Sequence, residues 1–296
     1  MHLHNGGTLL IRMLGTLTVI DDSGRPIEMP QRKVRHLLAI LVTHRNTAVS
    51  SGRLIERLWR GDPPASARSN LNTYLARLRR LLPNLQVRTM PSGYVFGVMD
   101  HELDAAIFTS RTARAADASR RGLQYNAIAE LEQALQLWSG DPFEGLDLDC
   151  DTSALVEQLN EEYRRATEDL FDLRLTLGRH TEIIGGLRSW ADRHPLRERA
   201  HSQLMVALHR DGRQSEALHV YEQLRRRLIE QIGAEPTLAV RELYIRMLGS
   251  DPDSDSSTSD LIVQNSRYAL PPPSVDCSCA KGVKRPQESQ WGMAAS

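Results

Sequence analysis

The residues best suited to chemistry in this 296-residue chain lie between Ser66 and Leu82. At about 100° per residue, Ala67, Leu71, Leu75, Leu78 and Leu82 fall on one face of a helix, with Tyr74 at its edge. The opposite face carries Ser69, Asn72, Thr73, Ala76, Arg77 and Arg80, with Arg68 and Arg79 on one shoulder and Asn70 on the other. The stretch contains no carboxylate. A solvated helix usually mixes charge signs, because opposite charges one turn apart support it. Arginine interleaved with Asn, Thr and Ser instead offers charge to phosphates and directed hydrogen-bonding groups to base edges. On that chemistry Asn72 pairs with adenine, Arg77 with guanine, and the Thr73 methyl packs on thymine. Arg68, Arg79 and Arg80 anchor phosphates. The same residues alone also fit a basic surface helix with no partner.

A recognition helix needs a scaffold. Leu9-Leu10-Ile11-Arg12-Met13 and Leu17-Thr18-Val19-Ile20 read as short strands, followed by the turn Asp21-Asp22-Ser23-Gly24 and an extended piece near Pro26–Met29. Helical spacing begins at Gln31, with Val34, Leu37, Leu38, Leu41 and Val42 on one face. Ser50 or Ser51 can cap a second helix, whose stripe is Leu54, Ile55, Leu58 and Trp59. Pro63-Pro64 forces a loop, Ser66 is placed to cap the third helix, and Pro83-Asn84 ends it. Val87 to Val98 alternates around Pro91-Ser92-Gly93, the pattern of a β-hairpin. Strands, three helices and a closing hairpin predict an α+β winged helix whose third helix enters the major groove. Arg88, Thr89 and Ser92 then sit on the wing, holding adjacent backbone or minor groove, and Lys33 and Arg35 add phosphate contacts from the first helix. An α+β domain with a surface hairpin is the alternative reading.

Asn70-Leu71-Asn72-Thr73-Tyr74-Leu75-Ala76-Arg77-Leu78-Arg79-Arg80 with Ser92-Gly93-Tyr94 resembles the OmpR-type winged helix. The Leu-x-Thr-Tyr and Arg-Leu-Arg version, together with the loop from Leu58 to Ala67, is similar to the Streptomyces antibiotic regulatory protein family. That resemblance implies a pathway-specific activator of antibiotic or secondary-metabolite biosynthesis. It implies double-stranded DNA with promoter direct repeats and the RNA polymerase holoenzyme as partners. The loop residues Arg60, Asp62, Pro63 and Pro64 are the candidates for polymerase contact. OmpR-type response regulators place a receiver domain before the winged helix; here the first strand lies close to Met1, so phosphorelay control is not expected.

From Glu102 onward no strand pattern appears. Leu103, Ile107, Phe108 and Ala115 predict a helix ending near Gly122, and Ala127, Leu131, Leu135 and Trp138 another. A loop at residues 139–145 precedes a long helix from about Ser153 to Leu177. Leu177-Gly178-Arg179-His180-Thr181-Glu182 then recurs as Asp211-Gly212-Arg213-Gln214-Ser215-Glu216, its glycines 34 residues apart, the tetratricopeptide period. These segments, with His194-Pro195-Leu196-Arg197-Glu198-Arg199 and Glu235-Pro236, resemble the bacterial transcriptional activator domain. The expected organisation is multi-domain: a winged helix at 1–100, an all-α tetratricopeptide-like domain at 101–249, and a disordered tail at 250–296 rich in Asp, Ser and Pro. The helical domain would hold polymerase or a second copy, with homodimerisation open.

The net charge is zero, but it is polarised. Residues 30–82 hold eleven Lys and Arg against two acids, +9, while residues 130–172 hold thirteen acids against Arg164 and Arg165, −11. One half suits a polyanion and the other is repelled by it. No signal-peptide pattern or apolar span is present and cysteines are few, which predicts a cytoplasmic, nucleoid-associated protein without a membrane. There is no P-loop, nucleophile elbow or zinc-protease motif, so neither an enzyme nor a cofactor is expected. Cys277-Ser278-Cys279 lacks a second cysteine pair, and His180, His194, His201, His209 and His219 read as surface or half-buried residues rather than metal ligands. The run Asp147-Leu148-Asp149-Cys150-Asp151 reads as a solvated loop. A tetratricopeptide-type adaptor, or a repressor with the same DNA-binding mode, remain the competing functions.

Overall fold

A computed structural model describes residues 10–82 and 86–249. The alternation of apolar residues at the start forms β1 (Leu10–Arg12), β2 (Thr18–Ile20) and β3 (Pro26–Ile27), an antiparallel sheet in that order. Ile11 pairs with Val19 across it, and both are fully buried. Then come α1 (Arg32–Thr43), β4 (Ala48–Val49), α2 (Ser51–Trp59) and α3 (Ala67–Leu81). The hairpin is β5 (Gln86–Met90) and β6 (Gly93–Gly97), joined through Pro91 and Ser92. The second sheet has the order β4-β6-β5. β4 has no counterpart in the sequence reading, since two residues are too short to show alternation.

Two predicted caps differ in outcome. Ser50 caps α2 as expected, its hydroxyl accepting from the Arg53 amide at 3.2 Å. Ser66 stands at the start of α3 but makes no side-chain cap; its hydroxyl accepts from Asn70 Nδ2 at 3.1 Å.

After a 3-10 turn (Asp100–Glu102), the described chain is helical: α4 (Asp104–Arg120), α5 (Gln124–Leu135), α6 (Cys150–Thr176), α7 (His180–Arg193), α8 (Glu198–Arg210), α9 (Gln214–Ile232) and α10 (Leu238–Gly249). Trp138 lies beyond the end of α5, edge-on to Phe108 at 5.3 Å between centroids. The repeat emerges as stacked pairs, α7 on α8 and α8 on α9. Gly178 and Gly212 take φ of +72° and +74° at the two equivalent turns, a conformation in which a Cβ is strained. The result is an α+β winged helix followed by a tetratricopeptide-like all-α unit. Among the described residues no helix is long and apolar enough to cross a membrane. The tail at 250–296, with Cys277 and Cys279, lies outside the described residues, as do Leu9, Pro83 and Asn84.

One apolar core runs from Ile11 and Val19 through Leu37, Leu41, Leu71 and Leu75 into Phe108, Leu131 and Leu159. It crosses from the winged helix into the helices without a break. Asp104, at the head of α4, fastens the junction: its carboxylate accepts from the amides of Met13 at 2.9 Å and Leu14 at 3.1 Å. Burial pushes that carboxyl above the usual range, opposed by those amide hydrogen bonds. A second core surrounds α8, in which every residue from Ala200 to His209 is buried. His201 and His209 are therefore interior residues, not the surface or half-buried ones expected from the sequence. Glu168 is buried beside this core, and Arg197 grips it through Nε at 2.7 Å and Nη2 at 2.8 Å.

Candidate nucleic-acid interface

The apolar stripe of α3 is set into the first core, with Ala67, Leu71, Leu75 and Leu78 buried. That fixes the rotation of the helix and turns Arg68, Asn72, Thr73, Arg79 and Arg80 to solvent, with Arg77 half-buried. α1 and α2 both pack against α3, and Trp59 of α2 stacks on Tyr74 at 6.3 Å between centroids. Arg60 and Gly61 reverse the chain after α2 with φ of +53° and +85°. Asp62, Pro63 and Pro64 follow, all exposed.

The wing stands against α3 through specific bonds. Arg79 donates from Nε to the Val87 carbonyl at 3.1 Å and from Nη2 to Thr89 Oγ1 at 3.0 Å. Tyr94 of β6 donates its hydroxyl to Asn72 Oδ1 at 3.3 Å. The hairpin also leans on β4, with Tyr94 in register with Val49. At Gly93, φ is +137° and an added Cβ would meet the Val49 carbonyl oxygen at 2.1 Å. Only glycine lets the wing close there. Arg88 and Ser92 are exposed, and Arg88 bonds to Gln86. Thr73 returns its hydroxyl to the Ser69 carbonyl at 3.1 Å.

These bonds sort the sequence-predicted residues. Asn72, Thr73 and Arg80 share the exposed face, with Arg68 at one edge and the half-buried Arg77 at the other, and the wing's Thr89 reaches it through Arg79. Among the described residues Arg68, Arg77 and Arg80 pair with no carboxylate. Lys33 and Arg35 stand apart. Lys33 donates to the Leu58 carbonyl and sits 5.4 Å from the centre of the Trp59 ring. Burial, then the charges of Arg32 and Arg60, holds its ammonium below the ordinary lysine range. Arg35 is half-buried on α1. Tyr94 is not among the sequence-predicted site residues; its signal is the Ser92-Gly93-Tyr94 motif, which carries the winged-helix resemblance but gives no hint of the bond to Asn72.

The acidic run is loop up to Asp149, with Asp147 and Cys150 exposed, but its carboxylates are engaged. Asp149 caps α6, accepting from the amides of Asp151 at 3.0 Å and Thr152 at 3.2 Å. It also pairs with Arg57 of α2 at 3.2 Å, each side chain 9% exposed. Asp151 takes Arg57 as well, Arg53 at 3.1 Å and His44 at 3.3 Å. Asp147 pairs with Arg32, and Arg60 reaches the Leu148 carbonyl. Burial would raise the Asp151 carboxyl, but the hydrogen bond and charge of Arg57 outweigh it and hold it low. Asp149, Cys150 and Asp151 bring three donor atoms within 4.8 Å of one another, a metal-like spacing whose two carboxylates are already held by arginines. The opposite charges of the two halves thus meet within the molecule at α1 and α2, while α3 keeps its positive face.

Two family models match this chain. The description "Transcriptional regulatory protein, C terminal" matches residues 24–96, and "Bacterial transcriptional activator domain" matches residues 103–248. The chain is 32% identical to the regulatory protein DnrI of Streptomyces peucetius, over 83% of this chain and 94% of that protein. It is 34% identical to the regulatory protein AfsR of Streptomyces coelicolor over 83% of this chain, but spans only 25% of AfsR. Among solved structures, Mycobacterium tuberculosis EmbR in complex with a low affinity phosphopeptide superposes with a TM-score of 0.80 at 27% identity. That match covers 88% of this chain and 70% of the other.

Proposed function

The chain belongs to the Streptomyces antibiotic regulatory protein family of DNA-binding transcription regulators, and from that premise we propose that it activates a secondary-metabolite pathway by reading direct repeats at its promoters and recruiting RNA polymerase. Its relatives DnrI and AfsR are named as regulatory proteins. The observation that carries the reading is the carboxylate-free face of α3, braced by the wing and without an ion pair among the described residues, while the acids of the helical unit engage α1 and α2.

In this reading residues 1–100 are the DNA-binding unit and 101–249 the regulatory unit, acting at the nucleoid in the cytoplasm. Asn72, Thr73 and Arg77 read bases. Arg68 and Arg80 hold phosphates directly, Arg79 does so while bracing the wing, and Arg88, Thr89 and Ser92 hold the backbone beside it. Lys33 and Arg35 give weaker, peripheral phosphate contacts, since the Lys33 ammonium already has a carbonyl partner. Arg60, Asp62, Pro63 and Pro64 form an exposed loop next to α3, suited to touch whatever sits adjacent on the DNA.

A gel-shift titration of promoter fragments against random duplex at physiological salt tests the DNA reading. A preference for promoter DNA of about a thousandfold is expected of a specific binder. Equal affinity for both would leave an adaptor as the better account. Transcription in vitro with purified polymerase separates activation from repression by the sign of the change.

A further inference from the structure

Glu161 and Glu162 are neighbours on α6 with different fates. Glu161 accepts from Arg164 at 3.0 Å, Arg165 at 3.1 Å and Arg197 at 2.9 Å. Glu162 takes none of these arginines and closes no ion pair among the described residues. Its Oε1 accepts from Gln158 Nε2 at 2.9 Å, and its Oε2 from the Thr109 hydroxyl of α4 at 3.1 Å. The single Thr109 proton is shared with the Ala105 carbonyl, also at 3.1 Å. A carboxylate has about four acceptor positions. Neutral donors therefore hold Glu162 in place while its charge and part of its acceptor capacity stay unused.

Glu162, Gln158 and Thr109 all line an open cavity of about 550 Å³ between the two units. Met13 and Val42 line it from the winged helix, and Leu103, Leu155 and Leu159 from the helical unit. Met13, Val42, Leu103 and Leu159 are buried, so its floor is apolar. Arg45 and Asp100, which also line it, neutralise each other at 3.4 Å. Cavities of this size take drug-sized molecules, and they occur preferentially where domains meet. A hard metal ion needs about six oxygen ligands and would find one carboxylate without a cation. An ammonium carried on an apolar body answers both the carboxylate and the floor.

We propose that this cavity is a binding site for a small amphipathic amine, with the ammonium on Glu162 and the apolar body on Leu103, Leu155 and Leu159. Met13, whose amide is held by Asp104, lines the same cavity. A bound molecule therefore touches the joint that fastens the two units. A ligand that binds the folded chain and not the unfolded one stabilises it, so the amine raises the melting temperature. The site is independent of the DNA-binding reading and is tested without DNA.

Saturation-transfer NMR of the full chain with two matched pairs is the measurement: tryptamine against tryptophol, and phenethylamine against phenethyl alcohol. At low salt the amines are expected to bind with dissociation constants of about 1 mM or below, at least about fivefold tighter than the alcohols. Glu162→Gln keeps the shape of the side chain and removes its charge; it abolishes the preference for amines while alcohol binding stays. Glu157→Gln, exposed on the same helix outside the cavity, leaves the preference intact. Ser110→Trp, at an exposed position lining the cavity, fills it and weakens both members of each pair at least about tenfold. Failure of both amines to bind, equal binding of amine and alcohol, or a preference that survives Glu162→Gln overturns the proposal. So does binding indifferent to Ser110→Trp.

Discussion

The Asn72 amide oxygen accepts from Tyr94, so in the proposed reading the group it offers to DNA is the Nδ2 donor. Asn72→Ala is expected to relax preference at one base pair by ~1–3 kcal/mol. Tyr94→Phe should move the same base pair in the same direction by less, because it frees the amide without removing it. Quantitative binding to single-base variants of the site checks both, and a uniform loss across all variants would remove Asn72 from the readers. Arg79 and Arg80, equivalent in sequence, are not equivalent in the fold. Arg80→Ala should reduce the salt slope of binding by about one, as expected for a lost phosphate contact. Arg79→Ala also unties Thr89, so a double-mutant cycle with Thr89→Val should show a coupling of at least about 0.5 kcal/mol in DNA binding.

At the scale of elements, the wing depends on Gly93 as much as on any base-reading side chain. A Cβ there would strike the Val49 backbone at a φ that side chains rarely adopt. Gly93→Ala is expected to cost about 3 kcal/mol of stability and most of the DNA affinity, measured by urea unfolding and gel shift. The third helix, its faces and the hairpin were legible in the sequence because apolar spacing and the Pro-Ser-Gly turn are local signals. β4 and the Arg79–Thr89 brace were not legible, since pairing between distant residues leaves no local pattern. The Asp147, Asp149 and Asp151 run shows the same limit. Its alternation with Leu148 and Cys150 read as solvated loop; Asp149 caps α6 through local amides, and only the approach of α1 and α2 made the run an ion-pair partner.

Across the whole molecule, the two units share a core and a charged seam, so acid should loosen both. His36, His44, His194 and His201 are all held below the ordinary 6.5, chiefly by burial. For His44 the charge of Arg57 adds to burial, against Asp151. A histidine with a depressed folded value contributes stability above its unfolded value that is lost as pH falls through it. The histidines' share of the melting temperature is therefore expected to fall between about pH 7.5 and 5.5, against the opposite trend of Asp172, whose carboxyl burial pushes up to about 6. His44→Gln should flatten part of that fall, as followed by circular dichroism. A profile unchanged by the substitution would show that His44 contributes nothing to the acid sensitivity.

The sequence by itself determined the elements that repeat or alternate: a one-sided basic helix, a hairpin, and helix pairs spaced 34 residues apart. It also determined the charge polarity, because charge counts do not depend on folding. Tertiary structure decided where that polarity points. The acids of residues 147–151 turned out to face arginines of α1 and α2, leaving Arg68, Arg77 and Arg80 without a carboxylate among the described residues. Which arginines stay available to a phosphate depends on distances between residues far apart in the chain, such as Arg57 and Asp149, 92 positions apart, and Arg32 and Asp147, 115 apart. Those distances are set by how two apolar cores close, which spacing along the chain does not record.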